Sequence, residues 1–576
     1  MPKKILDELR AFVKDEQSAN LAKLFEIWEK PLEKKLEIGE SQAISNIRFE
    51  NSTTLILTLV ENKSRFREGD MICLHTGNPT EFTFVRKATI ELENDGQWLV
   101  RALELDAELI RNTEGPYFAD VDAMDLRLYF DKALDDIAVS KIGTDVILPL
   151  LAGQLDVGEV YSDDFDDAAN FAEDNDHLND EQAAAVGYGV AAKYLACIQG
   201  PPGTGKTKVI SLIAKLLCDR GERILLTSHT HMAINNALNK IHQRGAPVIK
   251  VGTPSTIKGL STEIKCHAAG NDWNDRPDGG YVIGATPFAT CTSRLEKFEF
   301  DTVIFDEASQ ITIPLAVMAM RKAKRFIFVG DHKQLPPVIL SKSVVDASSD
   351  SIFSTLISLN NRTSVMLTKT YRMNTQLSRW PSQQFYNFDL ISEGPNKHRS
   401  FCLPSPPSSH TEELSSDKPF IFIKSPGTDT RTSNIEEAKL VSSIINAAIS
   451  AGMSPADIGV VTPFRRHAKE LKNELAKKIG WEKSSTIVTD TVERMQGQER
   501  ELIIISLCAT DQLFIKNIAT FLFQPERLNV AITRPMTKLI LIGPELSADF
   551  IVHNDETSTA ELVTLYRSLV SFAKAS

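Results

Sequence analysis

One loop restricts the possible folds of this chain more than any other feature of its sequence. It fits the pattern GxxxxGK[ST] and lies between an apolar run that ends at Gln199 and a helical pattern over 206–219. The loop reads Gly200-Pro-Pro-Gly203-Thr204-Gly205-Lys206-Thr207. Glycines let backbone N–H groups wrap a phosphate chain, the lysine neutralises the β- and γ-phosphates, and the threonine hydroxyl can bind Mg²⁺. The loop therefore predicts a parallel α/β sheet that binds a nucleoside triphosphate with Mg²⁺.

Short apolar runs separated by helical patterns continue through the rest of the chain in two series. The first series is Leu195–Gln199, Ile224–Thr227, Tyr281–Ile283, Thr302–Phe305 and Phe326–Val329. The second is Phe420–Ile423, Ile458–Val461, Ile487–Val488, Leu502–Leu507 and Leu539–Ile542. Strands of a parallel sheet are buried on both faces, so such runs predict two α/β domains with parallel sheets. We expect these domains at 176–350 and 351–576.

The N-terminal part has a different organisation. Apolar residues recur every three or four positions over 4–36, interrupted by Pro31, and this pattern predicts broken helices over 1–45. Residues 46–115 are rich in β-forming runs and turn residues, which predict a small barrel or sheet. A helical return and an acidic connector are expected over 116–175.

Composition indicates a globular chain rather than a disordered or fibrous one. It has 576 residues, of which 42% are hydrophobic and 24% charged. No apolar run approaches the roughly 18 to 20 residues that a membrane span needs, and the charged N-terminus has no apolar signal region. We therefore expect a soluble intracellular protein, cytoplasmic or nuclear, without a membrane partner. Seven scattered cysteines argue against a disulfide framework and against a structural zinc site.

The net charge of −12 does not decide which partners the protein binds. Between Asp156 and Glu181 there are 11 acidic residues and no lysine or arginine, and the rest of the chain is nearly neutral. A basic groove for nucleic acid is compatible with such a body.

Acidic residues and a glutamine follow two of the predicted strands. After Thr302–Phe305, Asp306 is expected to hold Mg²⁺ and Glu307 to orient and deprotonate the attacking water. Gln334, after the next strand, can hydrogen-bond the γ-phosphate or the water. Without the phosphate loop, each would also fit an ordinary solvated turn.

Two arginines of the second domain are candidates for charge stabilisation in the transition state. Arg372 follows a strand-like run, and Arg534 precedes the last predicted strand. Arginines that reach the γ-phosphate from a second domain would make domain closure depend on ATP. The alternative for each is a surface salt bridge.

Seven motifs occur in an order that is recognisable: GPPGTGKT, DEASQ, GDHKQLPP, TYRMN, VVTPF, TVERMQGQE and RLNVAITR. Over about residues 175–545 the chain resembles superfamily 1 helicases of the up-frameshift type, the RNA helicases of nonsense-mediated decay. The resemblance implies an α/β fold with two RecA-like P-loop NTPase domains. It also implies that the N-terminal residues form a helical stalk and a small β-barrel module, through which regulatory proteins could bind.

The resemblance implies roles for further residues. Gln182 and Tyr371 match the residues that read and stack on the adenine, and Gly497 and Glu499 match a nucleotide-contacting motif of the second domain. Gln334, Arg372 and Arg534 match γ-phosphate sensors and arginine fingers. Segments that line a single-strand channel include Thr230, Thr286, Pro463 and Thr491. The implied cofactors are ATP and Mg²⁺, with 5′-to-3′ movement.

The chain also departs from the family pattern. His229 and His231 stand where Pro and Asn are usual, which puts strand contacts in doubt there. Glu493 replaces Asp, and Thr375 replaces Pro. No Cys/His cluster exists to build the family's zinc-rich domain, so a reduced, motor-only version is expected.

The sequence therefore predicts an ATP-dependent motor that moves along single-stranded RNA or DNA. Its alternative is an ATP-switched clamp that binds nucleic acid or protein without unwinding. A P-loop NTPase without a nucleic-acid ligand is a third reading.

Overall fold

The protein is described by a computed structural model. The described residues are 2–62, 64–94, 96–102, 104–158, 160–341, 351–359, 363–547, 550 and 557–576. They form two compact units. We call Leu6–Leu134 with residues 339–341 the barrel unit, and Asp135–Val338 with the described residues from 351 onward the two-sheet unit. Within the described ranges, no helix is both long and apolar enough to pass through a lipid bilayer.

The barrel unit is built around six antiparallel strands that close on themselves in the order β1-β2-β5-β4-β3-β6. The strands are β1 Ser41–Asn51, β2 Thr54–Leu59, β3 Met71–His75, β4 Thr83–Asn94, β5 Gln97–Arg101 and β6 Tyr117–Val121. The helices of this part of the chain are α1 Pro2–Trp28, α2 Leu32–Ile38, α3 Ala107–Asn112 and α4 Arg127–Val139. Pro31 separates α1 from α2, as the sequence predicts.

The barrel is wider in sequence than the expected range 46–115. It closes where Ser41 pairs with Asp120, through β1 and β6. This closing pair joins residues far apart in the chain, which periodicity within a short window cannot reveal. The interior holds an apolar core in which Leu55, Leu57 and Trp98 are fully buried.

A buried carboxylate ties α2 to the barrel. Asp120 accepts a hydrogen bond of 2.5 Å from the Lys35 ammonium, and His75 Nε2 lies 3.1 Å from its other oxygen. All three side chains are at most 1% exposed. Burial opposes ionisation of Asp120, but His75 and Lys35 outweigh it and hold the pKa of this carboxyl below its ordinary value.

The two-sheet unit contains two separate parallel sheets. The first has the strand order β10-β9-β11-β8-β12-β13-β7-β14 and the second β17-β21-β20-β18-β19, with β15 and β16 paired alone. The strands of the first sheet are β7 Leu195–Gln199, β8 Arg223–Thr227, β9 Val248–Val251, β10 Cys266–His267, β11 Tyr281–Gly284, β12 Thr302–Phe305, β13 Arg325–Gly330 and β14 Ser364–Met366. The others are β15 Lys369–Thr370, β16 Ile391–Ser392, β17 Phe420–Lys424, β18 Ile458–Thr462, β19 Val488–Thr491, β20 Arg500–Ser506 and β21 Pro535–Gly543.

Helices cover both sheets. They are α5 Leu148–Leu151, α6 Ser162–Asp174, α7 Asp180–Ala191, α8 Lys206–Asp219, α9 His231–Gln243, α10 Ile313–Met320, α11 Ile352–Leu359, α12 Thr375–Phe385, α13 Ile435–Ser450, α14 Arg465–Ile479, α15 Trp481–Thr486, α16 Val492–Met495, α17 Gln512–Asn517, α18 Ala519–Leu522, α19 Pro525–Ile532 and α20 Thr557–Ala575.

The predicted fold class, with two RecA-like parallel sheets and a barrel, is confirmed. Every apolar run of the two predicted series contains strand residues, and β12 is buried at all four positions. Continuous burial explains why these strands read as apolar runs rather than as alternating patterns. The expected boundary at residue 350 lies outside the described residues.

The acidic stretch is more ordered than a solvated connector. It includes α6, whose Ala168 and Ala172 are buried in the core of the first sheet's helical layer. Phe165 of α6 lies so close to Gly187 of α7 that a Cβ on this glycine would clash with the ring. Small residues on both helices allow this close approach, while the acidic residues Asp163 and Asp164 are in the first helical turn.

The ion pair of the barrel unit generates a prediction for stability. Asp120→Ala should lower the free energy of unfolding by about 3 to 5 kcal/mol, because it leaves the Lys35 ammonium buried without its partner. Urea unfolding measures the change. The control is Lys215→Ala, which removes an exposed i,i+4 pair with Asp219 and should change stability by less than about 0.5 kcal/mol. Equal midpoints for both variants would contradict the assignment.

Candidate active site

A cleft of about 270 Å³ in the two-sheet unit brings together most of the residues predicted from the sequence. Loops at the carboxyl edge of the first sheet form one wall, and segments packed on the second sheet form the other. This edge is where open parallel sheets bind ligands. The cleft is lined by Pro202, Gly203, Thr204, Gly205, Lys206, Thr207, Lys208, Glu307, Gln334, Tyr371, Arg372, Gly497, Glu499 and Arg534.

The phosphate-binding loop connects β7 to α8 through two left-handed glycines. Gly203 has φ +76° and Gly205 φ +86°, a region that L side chains rarely adopt. Gly200 N donates to Gly330 O at 2.9 Å, which anchors the loop to the end of β13. The Lys206 ammonium donates to Gly200 O at 2.6 Å, so its charge is held over the loop. The free N–H groups at the start of α8 complete an anion-binding end.

The acidic pair lies at the end of β12. Asp306 is 6% exposed and accepts a hydrogen bond from Glu307 N at 2.9 Å. Burial and the neighbouring Glu307 raise the pKa of Asp306 to about 7, against the opposing charge of Lys206. Glu307 has a left-handed backbone (φ +51°) that turns its side chain to the cleft, where it accepts from Gln496 Nε2 at 3.0 Å. The buried carboxylate of Asp306 favours a bound cation, because a cation stabilises its charged form.

Two arginines enter the cleft from the opposite wall. Arg372 donates to Glu499 at 2.6 Å and to Thr533 O at 3.1 Å. Arg534 is 1% exposed and donates to Val530 O at 2.7 Å. Burial, followed by repulsion from Arg372, lowers the pKa of Arg534 to about 9. A half-buried and a buried cation that repel each other on one wall of the cleft favour a bound anion.

Gln182 and Tyr371 lie beside the phosphate loop. Gln182 forms a capping box with Asn179 at the start of α7, and its Nε2 donates to Thr204 O at 2.9 Å. Gln182 is buried behind the loop rather than on the cleft wall. Tyr371 N donates to Gly203 O at 2.8 Å, and its hydroxyl accepts from Asn179 Nδ2 at 2.8 Å.

Sequence reasoning missed two residues that hold the site together. Asp331 accepts from Gln334 Nε2 at 2.9 Å, and Gln496 binds Glu307. Both lie inside motifs that the sequence makes conspicuous, GDHKQLPP and TVERMQGQE. The sequence does not show which groups these two side chains contact, so their roles follow only from the structure.

The four expected channel residues follow strands at the carboxyl edges, but outside the cleft. Thr230 caps α9 after β8, and Thr286 follows β11, the neighbour of β8. Pro463 follows β18, and Thr491 ends β19, the neighbour of β18. Thr230 is exposed and Thr286 half-buried, whereas Pro463 and Thr491 are buried.

Two family models match consecutive parts of the two-sheet unit. Residues 177–279 and 278–342 match one AAA domain model, and residues 348–546 match a second AAA domain model. The structure of the arterivirus helicase, nonstructural protein 10, is a distant likeness, with a TM-score of 0.37 and 13% identity over 92% of this chain and 82% of that one.

Several curated relatives each match 64% of this chain. The DNA replication ATP-dependent helicase/nuclease dna2 of Schizosaccharomyces pombe is 30% identical over 64% of this chain and 28% of its own length. Regulator of nonsense transcripts 1 of Dictyostelium discoideum is 30% identical over 64% and 31%. The DNA polymerase alpha-associated DNA helicase A of S. pombe is 28% identical over 64% of each chain.

The chain thus spans between 28% and 64% of the length of these relatives. Two of these relatives are named as helicases and one as a regulator of nonsense transcripts. The chain belongs to the superfamily 1 helicases.

Proposed function

We propose that the protein is an ATP-dependent helicase or translocase that acts on single-stranded RNA or DNA. The observation that carries this proposal is the convergence of residues from both parallel sheets on one cleft. The phosphate loop and Glu307 follow strands of the first sheet, whereas Arg372 follows β15 and Arg534 precedes β21 of the second sheet. ATP bound between them would link hydrolysis to relative movement of the two RecA-like domains.

The nucleotide is proposed to bind with its phosphates on Gly203, Thr204 and Gly205. Lys206 would leave Gly200 O to neutralise the β- and γ-phosphates. Gln182 and Tyr371 would hold the adenine, which is supported by their contacts with Thr204 O and Gly203 O on the back of the loop.

Thr207 and Asp306 fit a magnesium ion. Both offer the hard oxygen donors that Mg²⁺ prefers, and the raised pKa of Asp306 means that a cation would stabilise its charged form. Bound Mg²⁺ would neutralise charge on the phosphates.

Hydrolysis is proposed to depend on Glu307 as the base for the attacking water. Gln334 would orient the γ-phosphate or the water. Arg372 and Arg534 would stabilise the transition state, with Arg372 exchanging its partner Glu499 for the γ-phosphate. Gly497 and Glu499 would contact the nucleotide from the second domain.

The strand is proposed to cross the carboxyl edges of both sheets at Thr230, Thr286, Pro463 and Thr491. Their position after neighbouring strands of each sheet supports a continuous path. Contacts to the sugar-phosphate backbone would give little base specificity. The direction, 5′ to 3′, rests on the resemblance alone.

Two further proposals concern the setting of this activity. Regulatory proteins would bind the N-terminal stalk and barrel, which contribute none of the cleft-lining residues. The protein would act inside the cell, where ATP and single-stranded nucleic acid are both present. The first motor domain would begin near residue 175, and the two motor domains would divide near residue 350.

The test of this function is the steady-state rate of ATP hydrolysis alone, with single-stranded RNA, and with single-stranded DNA, at one moderate salt concentration. We expect at least one polymer to raise the rate several-fold. ATP hydrolysis that responds to neither polymer would contradict a nucleic-acid motor and favour a protein-triggered switch.

The roles of Lys206 and Glu307 can be separated by mutation. Lys206→Ala should lose both ATP affinity and turnover, because the phosphate charge is no longer neutralised. Glu307→Gln should bind ATP normally but lower kcat by about 10²-fold or more, the contribution of a general base. Nucleotide titration and a phosphate-release assay measure the two effects. Full ATPase activity in Glu307→Gln would show that the base is wrongly assigned.

Gly203 predicts a specific packing effect on nucleotide binding. In Gly203→Ala the new Cβ would lie 2.4 Å from Arg372 Cβ and 2.6 Å from Thr370 Oγ1, so the loop must shift. We expect at least about a tenfold loss of affinity for a fluorescent ATP analogue, equivalent to about 1.4 kcal/mol.

The matched control is Gly221→Ala. Gly221 also has a left-handed backbone, with φ +84°, but nothing lies within 4 Å of a Cβ there. It should lose about 1 to 2 kcal/mol of stability from the strained backbone and retain its affinity for the analogue. Equal affinities in the two variants would argue against the packed loop.

A further inference from the structure

A buried polar network connects the first sheet to the second behind the cleft. Its centre is Asp331, the residue after β13, which is fully buried. One carboxylate oxygen accepts from Gln334 Nε2 at 2.9 Å and from the Tyr386 hydroxyl at 2.6 Å. The other accepts from Lys333 N at 3.2 Å and lies 3.5 Å from Gln199 Nε2, at the end of β7.

Tyr386 reaches this carboxylate from the second domain. It directly follows α12, and the chain turns sharply after it through two left-handed residues, Asn387 and Phe388. The side chain is 2% exposed, and burial together with Asp331 raises the pKa of the phenol well above its ordinary value. Tyr386 therefore stays a neutral donor to Asp331 at every pH at which the protein would work.

Asn529 completes the connection from α19. Its Nδ2 donates to the Tyr386 hydroxyl at 2.7 Å and to Lys333 O at 2.8 Å. Asn529 is fully buried, and Thr533, the residue that caps the end of α19, donates to Asn529 O at 2.6 Å. Arg534, the next residue, donates to Thr533 Oγ1 at 3.3 Å.

The network thus begins at Gln334 and ends at Arg534, two residues that both line the cleft but belong to different sheets. Hydrogen bonds fix these buried groups in place, because breaking one leaves a desolvated donor or acceptor. Asn529 Oδ1 is the exception, a buried oxygen with no hydrogen-bond partner among the described residues. A movement of Gln334 that displaces Asp331 would also displace Tyr386, Asn529 and the end of α19.

We propose that Tyr386 and Asn529 are positioning residues that hold Gln334 and Arg534 in register across the γ-phosphate position. This inference rests on the proposed ATPase function of the cleft. Neither Tyr386 nor Asn529 lines the cleft, so neither would contact the nucleotide. They would make Gln334 and Arg534 contact the γ-phosphate together, so that hydrolysis requires both domains to be in place.

The test is Tyr386→Phe, which removes only the hydroxyl. With a saturating single strand, kcat for ATP should fall about 10- to 100-fold, the range that loss of a hydrogen bond to a charged group supports. KM should stay within about twofold, because the phosphate loop is untouched. Asn529→Ala, which leaves the Tyr386–Asp331 hydrogen bond in place, should lower kcat in the same direction.

The matched control is Tyr566→Phe. Tyr566 on α20 is also fully buried, and its hydroxyl donates to Pro544 O at 2.8 Å, away from the cleft residues. It should resemble Tyr386→Phe in thermal unfolding but keep the wild-type kcat. In a Gln334→Ala background, Tyr386→Phe should cause a smaller loss than in the wild-type protein, because one of the two residues that it positions is gone.

Three results would overturn the inference while the proposed function stands. They are a wild-type kcat in Tyr386→Phe, an equal loss in Tyr566→Phe, or fully additive losses with Gln334→Ala. A wild-type protein that hydrolyses no ATP under any condition would overturn the proposed function and this inference together.

Discussion

In both sheets of the two-sheet unit, neighbouring strands run in the same direction, and this shared direction decides where the chemistry can lie. Loops that follow parallel strands open on one edge, so residues after β7, β12 and β13 meet although more than a hundred positions separate the first from the last. The phosphate loop, the acids and Gln334 are neighbours for this reason. The second sheet supplies the opposite wall under the same rule, so the cleft needs both sheets to be complete.

Charged groups of both signs lie in and beside the cleft. Asp306 is buried near Lys206, and Glu307 is held by Gln496 from the opposite wall. Arg534 is buried deeply enough to lower its pKa to about 9. The charged forms of Asp306 and Arg534 are costly to bury without a partner of opposite charge. A triphosphate with its metal ion supplies both signs, which gives a physical reason for nucleotide binding to draw the walls together.

Much of the fold could be predicted because parallel strands leave local signals. Their apolar runs, the glycines of the phosphate loop and the polar residues after each strand are all visible in short windows of sequence. The rest depends on contacts between distant residues: Ser41 pairs with Asp120 to close the barrel, and Tyr386 meets Asp331 across 55 positions. No periodicity reports such partners, so the barrel limits and the buried network emerged only from the structure.

The central claim is that ATP turnover in this cleft moves the protein along a strand. Displacement of a labelled strand from duplexes with a 5′ or a 3′ single-stranded tail tests it directly, with Glu307→Gln as the inactive control. We expect the wild-type protein to displace the strand from the 5′-tailed duplex in an ATP-dependent way, and Glu307→Gln to displace none. Strand binding and ATP hydrolysis without displacement from either duplex would contradict it and identify an ATP-switched clamp.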